Sequence, residues 1–190
     1  MRKGHYLALF RTAAALLLAA IWCAPVSADE AIAASDSAAL VSSSLRGGFV
    51  MADKVVVHKS ERKLYLMRQG QVLRSYRVAL GLRPQGHKQQ EGDFRTPEGE
   101  YRLVRRNPHS DFFLSMEISY PNSDDVARAQ RNKVRPGGMI MLHGWPNVPK
   151  RGTDYYRSAD WTDGCIAVSN SDMVEIWLMT PIDTPIEIRP

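Results

Sequence analysis

Apolar and polar positions alternate along much of residues 54–80. A short β-branched run, Val55-Val56-Val57, is followed by period-two alternation over residues 64–68 and again over 72–78. Successive side chains of a strand point to opposite faces of a sheet, so this alternation predicts strands. Gln69-Gly70 separates the last two runs and favours a tight turn. We therefore expect a meander of antiparallel strands.

Turn-forming residues interrupt this pattern over residues 81–99. The segment, GLRPQGHKQQEGDFRTPEG, is rich in Gly and Pro and predicts a loop between strands. A strand resumes over residues 101–104. Residues 105–138 then predict a long excursion, which breaks at Asn107-Pro108 and includes a short helix capped by Ser123-Asp124-Asp125.

The last part of the chain predicts one helix and one strand. Three apolar residues recur at helical spacing and share one face: Met173, Ile176 and Trp177. Either Asn170 or Asp172 is suited to cap this helix, and Thr180-Pro181 is expected to end it. Residues 185–188 predict a last strand. Strands outnumber helices, so the predicted fold class is mainly β with a few helices.

The first 28 residues have the three parts of a secretory signal peptide. Three basic residues open the segment: Arg2, Lys3 and Arg11. The apolar core at 13–22 is too short to span a bilayer, and Val26-Ser27-Ala28 provides the small residues that precede a cleavage site. Two alternatives remain open, namely an uncleaved membrane anchor and a lipid attached to Cys23. With cleavage, we expect no stable membrane insertion.

Cleavage after Ala28 changes what the rest of the chain can be. Residues 29–48 are rich in Ala and Ser and predict a flexible tether, and residues 49–190 are long enough for one globular domain. The first 28 residues hold three of the 25 Lys and Arg residues and none of the 20 Asp and Glu residues, so the net charge falls from +5 to +2. That balance gives no support for binding to nucleic acid.

Cys165 would be the single thiol of the cleaved chain, because the only other cysteine is Cys23. It could form no disulfide within the chain, and one cysteine with scattered histidines is a poor metal site. We therefore expect neither a metal nor an organic cofactor. A lone thiol in an oxidising compartment is either buried or used.

The surroundings of Cys165 favour use over burial. His143-Gly144 directly follows the apolar run at 139–142, and Gly164-Cys165 directly precedes an Ile-Ala-Val run. A histidine that leaves one strand and a cysteine that enters another can meet across neighbouring strands, and this pairing serves a thiol nucleophile. The backbone N–H groups of Gly164 and Cys165 are candidate donors to an oxyanion. A buried, inert cysteine remains the alternative.

Together, these segments resemble the L,D-transpeptidase catalytic domain (YkuD) family over roughly residues 53–189. The resemblance rests on the loop GLRPQGHKQQEGDFRTPEGEY, then His143-Gly144, then TDGCIAVSN, in this order. The letters GWPN after the histidine and DWTDGCIAVSNSDM around the cysteine are most similar to the YafK-like branch. The resemblance implies a β-sandwich-like catalytic fold, peptidoglycan stem peptides as substrates, and a place in the periplasm or cell wall of a bacterium.

The resemblance also implies roles for three residues. Cys165 corresponds to the family's nucleophile and His143 to its proton donor and acceptor. Gly144 corresponds to the residue whose backbone carbonyl orients the imidazole ring. The implied chemistry is a two-step acyl transfer through a thioester.

The sequence departs from the common family pattern at two positions. Asp163 stands where many members have histidine, and Ala167 stands where many have arginine or asparagine. A carboxylate near the thiol disfavours a substrate carboxylate there and favours a cationic amine. We take Asp163, together with Trp161 and Trp145, as candidate substrate-binding residues.

Several outcomes stay open for the second half of the reaction. An amine acceptor makes a transpeptidase, and water makes a carboxypeptidase or an endopeptidase that frees a wall-linked protein, which would then be a second partner. A wall-binding module without catalysis is the alternative from another class, although binding alone requires neither His143 nor Cys165.

Overall fold

The computed structural model describes residues 50–190, so the predicted signal peptide (1–28) and tether (29–48) lie outside the described residues. The strands are β1 Lys54–His58, β2 Lys63–Arg68, β3 Gln71–Arg77, β4 Gly99–Ser110, β5 Phe113–Ile118, β6 Met141–His143, β7 Ile166–Ala167 and β8 Pro185–Arg189, and the helices are α1 Ser123–Arg131, α2 Thr153–Ser158 and α3 Asn170–Met179. The strands form one eight-stranded sheet in the order β3-β2-β1-β8-β4-β5-β6-β7. The predicted mainly β fold with a few helices is confirmed.

The predicted meander forms one end of the sheet. β1 pairs antiparallel with β2, and β2 pairs antiparallel with β3. Gln69 and Gly70 make the turn between β2 and β3 with φ values of 50° and 78°, the conformation that a two-residue hairpin turn favours. The predicted last strand is also confirmed, since β8 lies beside β1 and runs parallel to it.

One long strand, β4, joins the two halves of the sheet. Its residues 99–102 pair with β8, and the remainder pairs with β5. The strand predicted for 101–104 is therefore too short, and the predicted break at Asn107-Pro108 is wrong. The register between β4 and β5 shifts between Asn107 and Ser110. Such a bulge accommodates a proline, which has no N–H to donate to the ladder.

Most of the excursion predicted for residues 105–138 is regular structure, namely the end of β4, all of β5 and α1. The chain turns from β4 into β5 at Asp111-Phe112, and Phe113 adopts a positive φ of 68°. Neither Gly nor Pro marks this turn, so the residue types that usually signal a hairpin are missing.

The two ends of the sheet approach each other. Ala79, which follows β3, exchanges two backbone hydrogen bonds of 2.8 Å with Ala167 of β7. The sheet therefore curves on itself, and its halves enclose one core in the manner of a sandwich. Fully buried side chains from both halves fill that core, among them Val55, Leu64, Leu66, Leu103, Met116, Leu142 and Ile166.

The helices are capped by other residues than those predicted. Asn122, rather than Ser123, caps α1. Ser169 caps α3, and its Oγ accepts from the N–H of Asp172 at 3.2 Å. Neither Asn170 nor Asp172 is the cap. In both helices the capping residue is the last one with extended backbone, which depends on the direction from which the chain arrives.

The predicted apolar face of α3 packs as expected. Met173 and Ile176 are fully buried, Trp177 is half-buried, and the helix ends at Met179 before the predicted stop. α2 was not predicted, because Tyr156 is its single buried residue and gives no periodic signal. Within residues 50–190, no helix has the length and hydropathy that crossing a membrane requires.

Candidate active site

Cys165 and His143 project from neighbouring strands toward the same side of the sheet. β6 and β7 run parallel, with Leu142 opposite Ile166, so Cys165 lies opposite Met141. Because side chains alternate along a strand, Leu142 and Ile166 point together into the core, where both are fully buried. Met141, His143 and Cys165 consequently share the other face.

The His143 ring is held in one orientation. Its Nδ1 lies 2.7 Å from the Gly144 carbonyl oxygen. A carbonyl only accepts, so Nδ1 carries the proton and Nε2 keeps its lone pair. The ring packs against both Phe112 and Trp161, with ring centroids 4.7 and 5.7 Å away. The contact expected of Gly144 from the family resemblance is therefore present, and the nitrogen that a base needs is unoccupied by this bond.

Gly144 has no room for a side chain. A Cβ at this position would lie 2.6 Å from Asn170 Oδ1 and 3.0 Å from the Phe113 Cβ. The same Asn170 oxygen accepts from the Trp145 N–H at 2.7 Å. The peptide that carries the Gly144 carbonyl is thus fixed on both sides, and any larger residue would displace the acceptor of His143.

Burial sets the protonation of the pair. It lowers the pKa of His143 to about 4, although the Gly144 carbonyl favours the charged ring. Burial also raises the pKa of the Cys165 thiol, and the Asp163 carboxylate adds to that effect, while the Met141 N–H works against it. At neutral pH the resting pair is a neutral thiol and a neutral imidazole. An imidazole can promote a thiol either by accepting its proton or, when charged, by stabilising the thiolate, and the neutral ring of this site favours proton acceptance.

The backbone around Cys165 is fastened by two threonines. Thr162 Oγ1 donates to the Cys165 carbonyl at 2.8 Å and accepts from the Gly164 N–H at 3.2 Å. Thr96 is fully buried and accepts from the Gly81 N–H at 3.1 Å, behind the same turn. Neither threonine was singled out from the sequence, although a hydroxyl residue three positions before the cysteine is a turn signal.

This fastening corrects the expected oxyanion donors. The Gly164 N–H is engaged by Thr162 Oγ1 and is not free for a substrate oxygen. Within residues 50–190 the Cys165 N–H makes no hydrogen bond, so it remains the donor available next to the thiol. Gly164 is required for another reason: its φ is +128°, and a Cβ would lie 2.7 Å from the Arg95 carbonyl oxygen.

The shared face opens into a cleft of about 700 Å³. Of the residues predicted for the site, four line this cleft: Cys165, His143, Trp161 and Asp163. Trp145 does not line it and instead borders two neighbouring cavities of about 680 and 380 Å³. The direction of a side chain next to a turn cannot be obtained from sequence spacing. Phe112, which contacts both His143 and Trp161, is a cleft residue that was not singled out from the sequence.

The Gly-rich loop at 81–99 lies behind the cleft and lines none of it. Buried Lys59 holds this loop, since its Nζ donates to the carbonyls of Gly86 and Thr96 and to Glu98 Oε1 at 2.7–2.9 Å. Buried Lys88 forms a second internal ion pair with Asp93. The loop packs against the turn at Gly164-Cys165, where Thr96 Oγ1 lies 3.5 Å from the Cys165 carbonyl oxygen. In the described part of the chain, no three His, Cys, Asp or Glu side chains are grouped to hold a metal ion.

The family model described as L,D-transpeptidase catalytic domain (YkuD) matches residues 52–188. The chain belongs to this family. A curated relative, "Putative L,D-transpeptidase YafK" of Escherichia coli (strain K12), is 33% identical over 96 residues, which cover 47% of this chain and 37% of the relative. This chain thus spans well under half of that YkuD relative, and the predicted YkuD resemblance is confirmed.

Solved structures are also similar to this chain in fold. The helical cell shape determining protein Pgp2 from Campylobacter jejuni superposes with a TM-score of 0.54 at 24% identity, covering 70% of this chain and 46% of Pgp2. Bdellovibrio bacteriovorus Bd1075 gives a TM-score of 0.49 at 27% identity, covering 73% of this chain and 48% of that one. Both structures are longer than the stretch they share with this chain.

The buried His143 makes the stability of this YkuD domain depend on pH. Between its unfolded pKa of 6.5 and its folded pKa of about 4, the unfolded chain binds a proton that the folded chain does not. Stability is therefore expected to fall as pH drops through this window, by about 3 kcal/mol in total. Urea titrations at several pH values should show a smaller loss for His143→Gln than for the wild type. Equal losses in the two proteins would contradict a buried neutral imidazole.

Proposed function

We propose that this protein catalyses cysteine-dependent acyl transfer on peptidoglycan stem peptides. One observation supports the proposal above the others: in an L,D-transpeptidase fold, Cys165 and an oriented, neutral His143 face one cleft. Membership of the family supports the wall substrate. A wall-binding module without catalysis needs neither the thiol nor the free Nε2.

The first half-reaction forms a thioester. Cys165 Sγ attacks the carbonyl between the L-centre of a stem peptide and the D-residue that follows, and His143 Nε2 takes the thiol proton. The Cys165 N–H is placed to donate to the oxyanion of the tetrahedral intermediate. The C–N bond then breaks, and the departing amine of the D-residue takes the proton back from His143. Both side chains of the pair are thus neutral again in the acyl-enzyme.

The second half-reaction decides the name of the activity. An amine or a water molecule attacks the thioester carbonyl and gives its proton to His143 Nε2, which returns it to the departing Cys165 Sγ. An amine acceptor yields a cross-link, and we propose this L,D-transpeptidase outcome first. Water yields a trimmed stem, or a released protein when a wall-linked protein was the leaving group. The same residues serve all of these outcomes.

The experiment is mass spectrometry of purified muropeptides incubated with the protein. Transpeptidation predicts new species whose mass is the sum of two stems minus the free D-amino acid that leaves. Hydrolysis predicts trimmed stems or freed peptides. Unchanged muropeptides after incubation with a protein that folds normally would reject the proposal and favour a module without catalysis.

Asp163 is expected to select a cation in the cleft. Its side chain is exposed on the cleft wall and makes no ion pair or side-chain hydrogen bond within residues 50–190. For Asp163→Asn we expect turnover of an amine-bearing stem peptide to fall about two- to fivefold relative to its N-acetylated form. The pKa of Cys165 should fall in the same variant, so thiol alkylation at pH 7 should become faster.

Competition kinetics with the two peptides measure this preference. Glu100→Gln, which removes an exposed carboxylate on β4 away from the cleft, is the matched control. A peptide preference that is the same in wild type, Asp163→Asn and Glu100→Gln would show that Asp163 only shapes the turn.

We also propose that the chain acts outside the cytoplasm, in the periplasm or cell wall. The support is the predicted signal peptide together with the family's connection to the wall. Expression in a bacterial host should yield an exported protein whose intact mass equals that of a chain beginning at Asp29. A mass that retains residues 1–28 would instead support the uncleaved anchor.

A further inference from the structure

A second groove lies beside the catalytic cleft, and nothing in the proposed reaction uses it. It consists of the two cavities that Trp145 borders, of about 680 and 380 Å³. Both cavities are also lined by Tyr156 and Asn170, so they adjoin each other. Tyr156 lines the cleft as well, and Pro146 is shared by the cleft and the smaller cavity. We call the two cavities the basic groove.

The basic groove and the cleft carry opposite charge. The charged residues of the cleft lining are Asp111, Asp163 and Lys150, which sum to −1. The charged residues of the basic groove are Arg77, Arg151, Arg157 and Asp172, which sum to +2. Only the wall formed by Tyr156 and its neighbours separates the two. A ligand that spans this wall experiences a field that distinguishes its anionic part from its cationic part.

The groove offers several side-chain N–H donors, and two of the side chains that carry them are fixed. Arg77 Nε donates to the Arg157 carbonyl at 2.7 Å, which anchors this guanidinium at the end of α2. Asn170 Oδ1 accepts from the Trp145 N–H, and the Asn170 amide N–H₂ group makes no hydrogen bond within residues 50–190. The Arg157 guanidinium likewise has no partner there. Arginine forks match carboxylates geometrically, so these donors suit a carboxylate ligand.

We propose that the basic groove binds the free carboxylates of the stem peptide whose scissile bond lies in the cleft. The inference rests on the proposed function and adds a direction to it. The carboxylate-bearing part lies across Trp145 toward Arg157, and the amine-bearing part lies toward Asp163. Two regions of opposite charge fix the register of a peptide that would otherwise slide past Cys165. The sequence suggested Trp145 as a substrate-binding residue of the cleft. In this proposal Trp145 binds substrate in the basic groove instead.

The test compares two peptides and two matched substitutions. One peptide is a stem peptide that keeps the D-residue after its L-centre and has free carboxylates, and the other is the same peptide with those carboxylates amidated. Arg157→Gln removes a groove arginine in the last turn of α2. Arg131→Gln removes an exposed arginine in the last turn of α1 that lines no cavity described here. Calorimetric titration of the wild type and of both variants with each peptide gives six affinities to compare.

Arg157→Gln should weaken binding of the free-carboxylate peptide about tenfold, as expected for a charge-assisted hydrogen bond. It should leave the affinity for the amidated peptide unchanged, and Arg131→Gln should change the affinity for neither peptide. In turnover assays, the same substitution should raise KM and preserve kcat. Equal affinities of the Arg157→Gln and Arg131→Gln proteins for the free-carboxylate peptide would overturn the proposal.

The outcomes separate this inference from the proposed function. If binding depends on Arg157 but the wild type shows no turnover, carboxylate binding by the basic groove stands and the enzymatic function is rejected. If the wild type turns the peptides over and neither Arg157→Gln nor amidation changes the rate, the enzymatic function stands and carboxylate binding by the basic groove is rejected. A wild type that binds neither peptide would remove both.

Discussion

Turnover of stem peptides is expected to fall at least about 10⁴-fold in the Cys165→Ala protein, while the fold is retained. Cys165 is the only thiol among residues 50–190, so no other side chain can carry the thioester. The change removes one sulfur atom from a partly exposed position, and circular dichroism should therefore be unaltered. Chromatography of muropeptides before and after incubation measures the loss.

Cys165→Ser provides the matched control for shape. Its hydroxyl keeps the size of the side chain but is a far weaker acid than a thiol, so its turnover should also be lost. Intact-mass spectra of the wild type under substrate should show an acyl adduct that both variants lack. Residual turnover by Cys165→Ala above the uncatalysed rate would remove Cys165 from the role of nucleophile.

The second large effect concerns His143. We expect His143→Gln to slow alkylation of Cys165 by iodoacetamide about 10²-fold or more at pH 7. The reason lies in the two pKa shifts: burial keeps the thiol protonated at this pH, and the neutral imidazole is the group that accepts its proton. Above the raised pKa of the thiol, deprotonation needs no acceptor, and the two rates should converge.

Rate–pH profiles of three proteins decide this prediction. His109→Gln, which replaces an exposed histidine on β4, should behave as the wild type. The wild-type rate should persist on the acid side down toward the His143 pKa of about 4, whereas His143→Gln should lose it well above that pH. Superimposable profiles for all three proteins would mean that Cys165 and His143 are no catalytic pair, and Cys165 would then be an inert, mostly buried thiol.

The sequence predicted those strands and helices whose apolar residues recur with a regular spacing. The β1–β3 meander and α3 follow from alternation and helical spacing, because in each case one face is buried and the other is not. The second half of β4 pairs with β5 across a bulge at Asn107-Pro108. A proline is tolerated there because the bulge needs no N–H from it, and this depends on the partner strand rather than on the local sequence. α2 has one buried residue, Tyr156, and its position depends on contacts with Trp145 and Trp161.

The candidate site shows the same division. Cys165 and His143 were recognisable because their motifs adjoin strand ends, and parallel pairing of β6 and β7 brings such ends together. The role of Gly144 came from the family resemblance alone. Residues that act through distant contacts gave no such signal: Phe112 packs on His143 from the β4–β5 turn, and Thr96 supports the turn at Cys165 from the 81–99 loop. The spacing of residues in the sequence likewise could not show that Trp145 faces away from the cleft.

The neutral resting state of the pair also bears on how long the protein survives. Oxidants and disulfides react with a thiolate far faster than with a protonated thiol. A cysteine activated by a permanent ion pair would be converted step by step to sulfenic and sulfinic acids in an oxidising environment. In the proposed mechanism the thiolate forms only during attack, when the His143 imidazole accepts the proton. The burial that delays ionisation therefore protects the single sulfur atom on which the proposed chemistry depends.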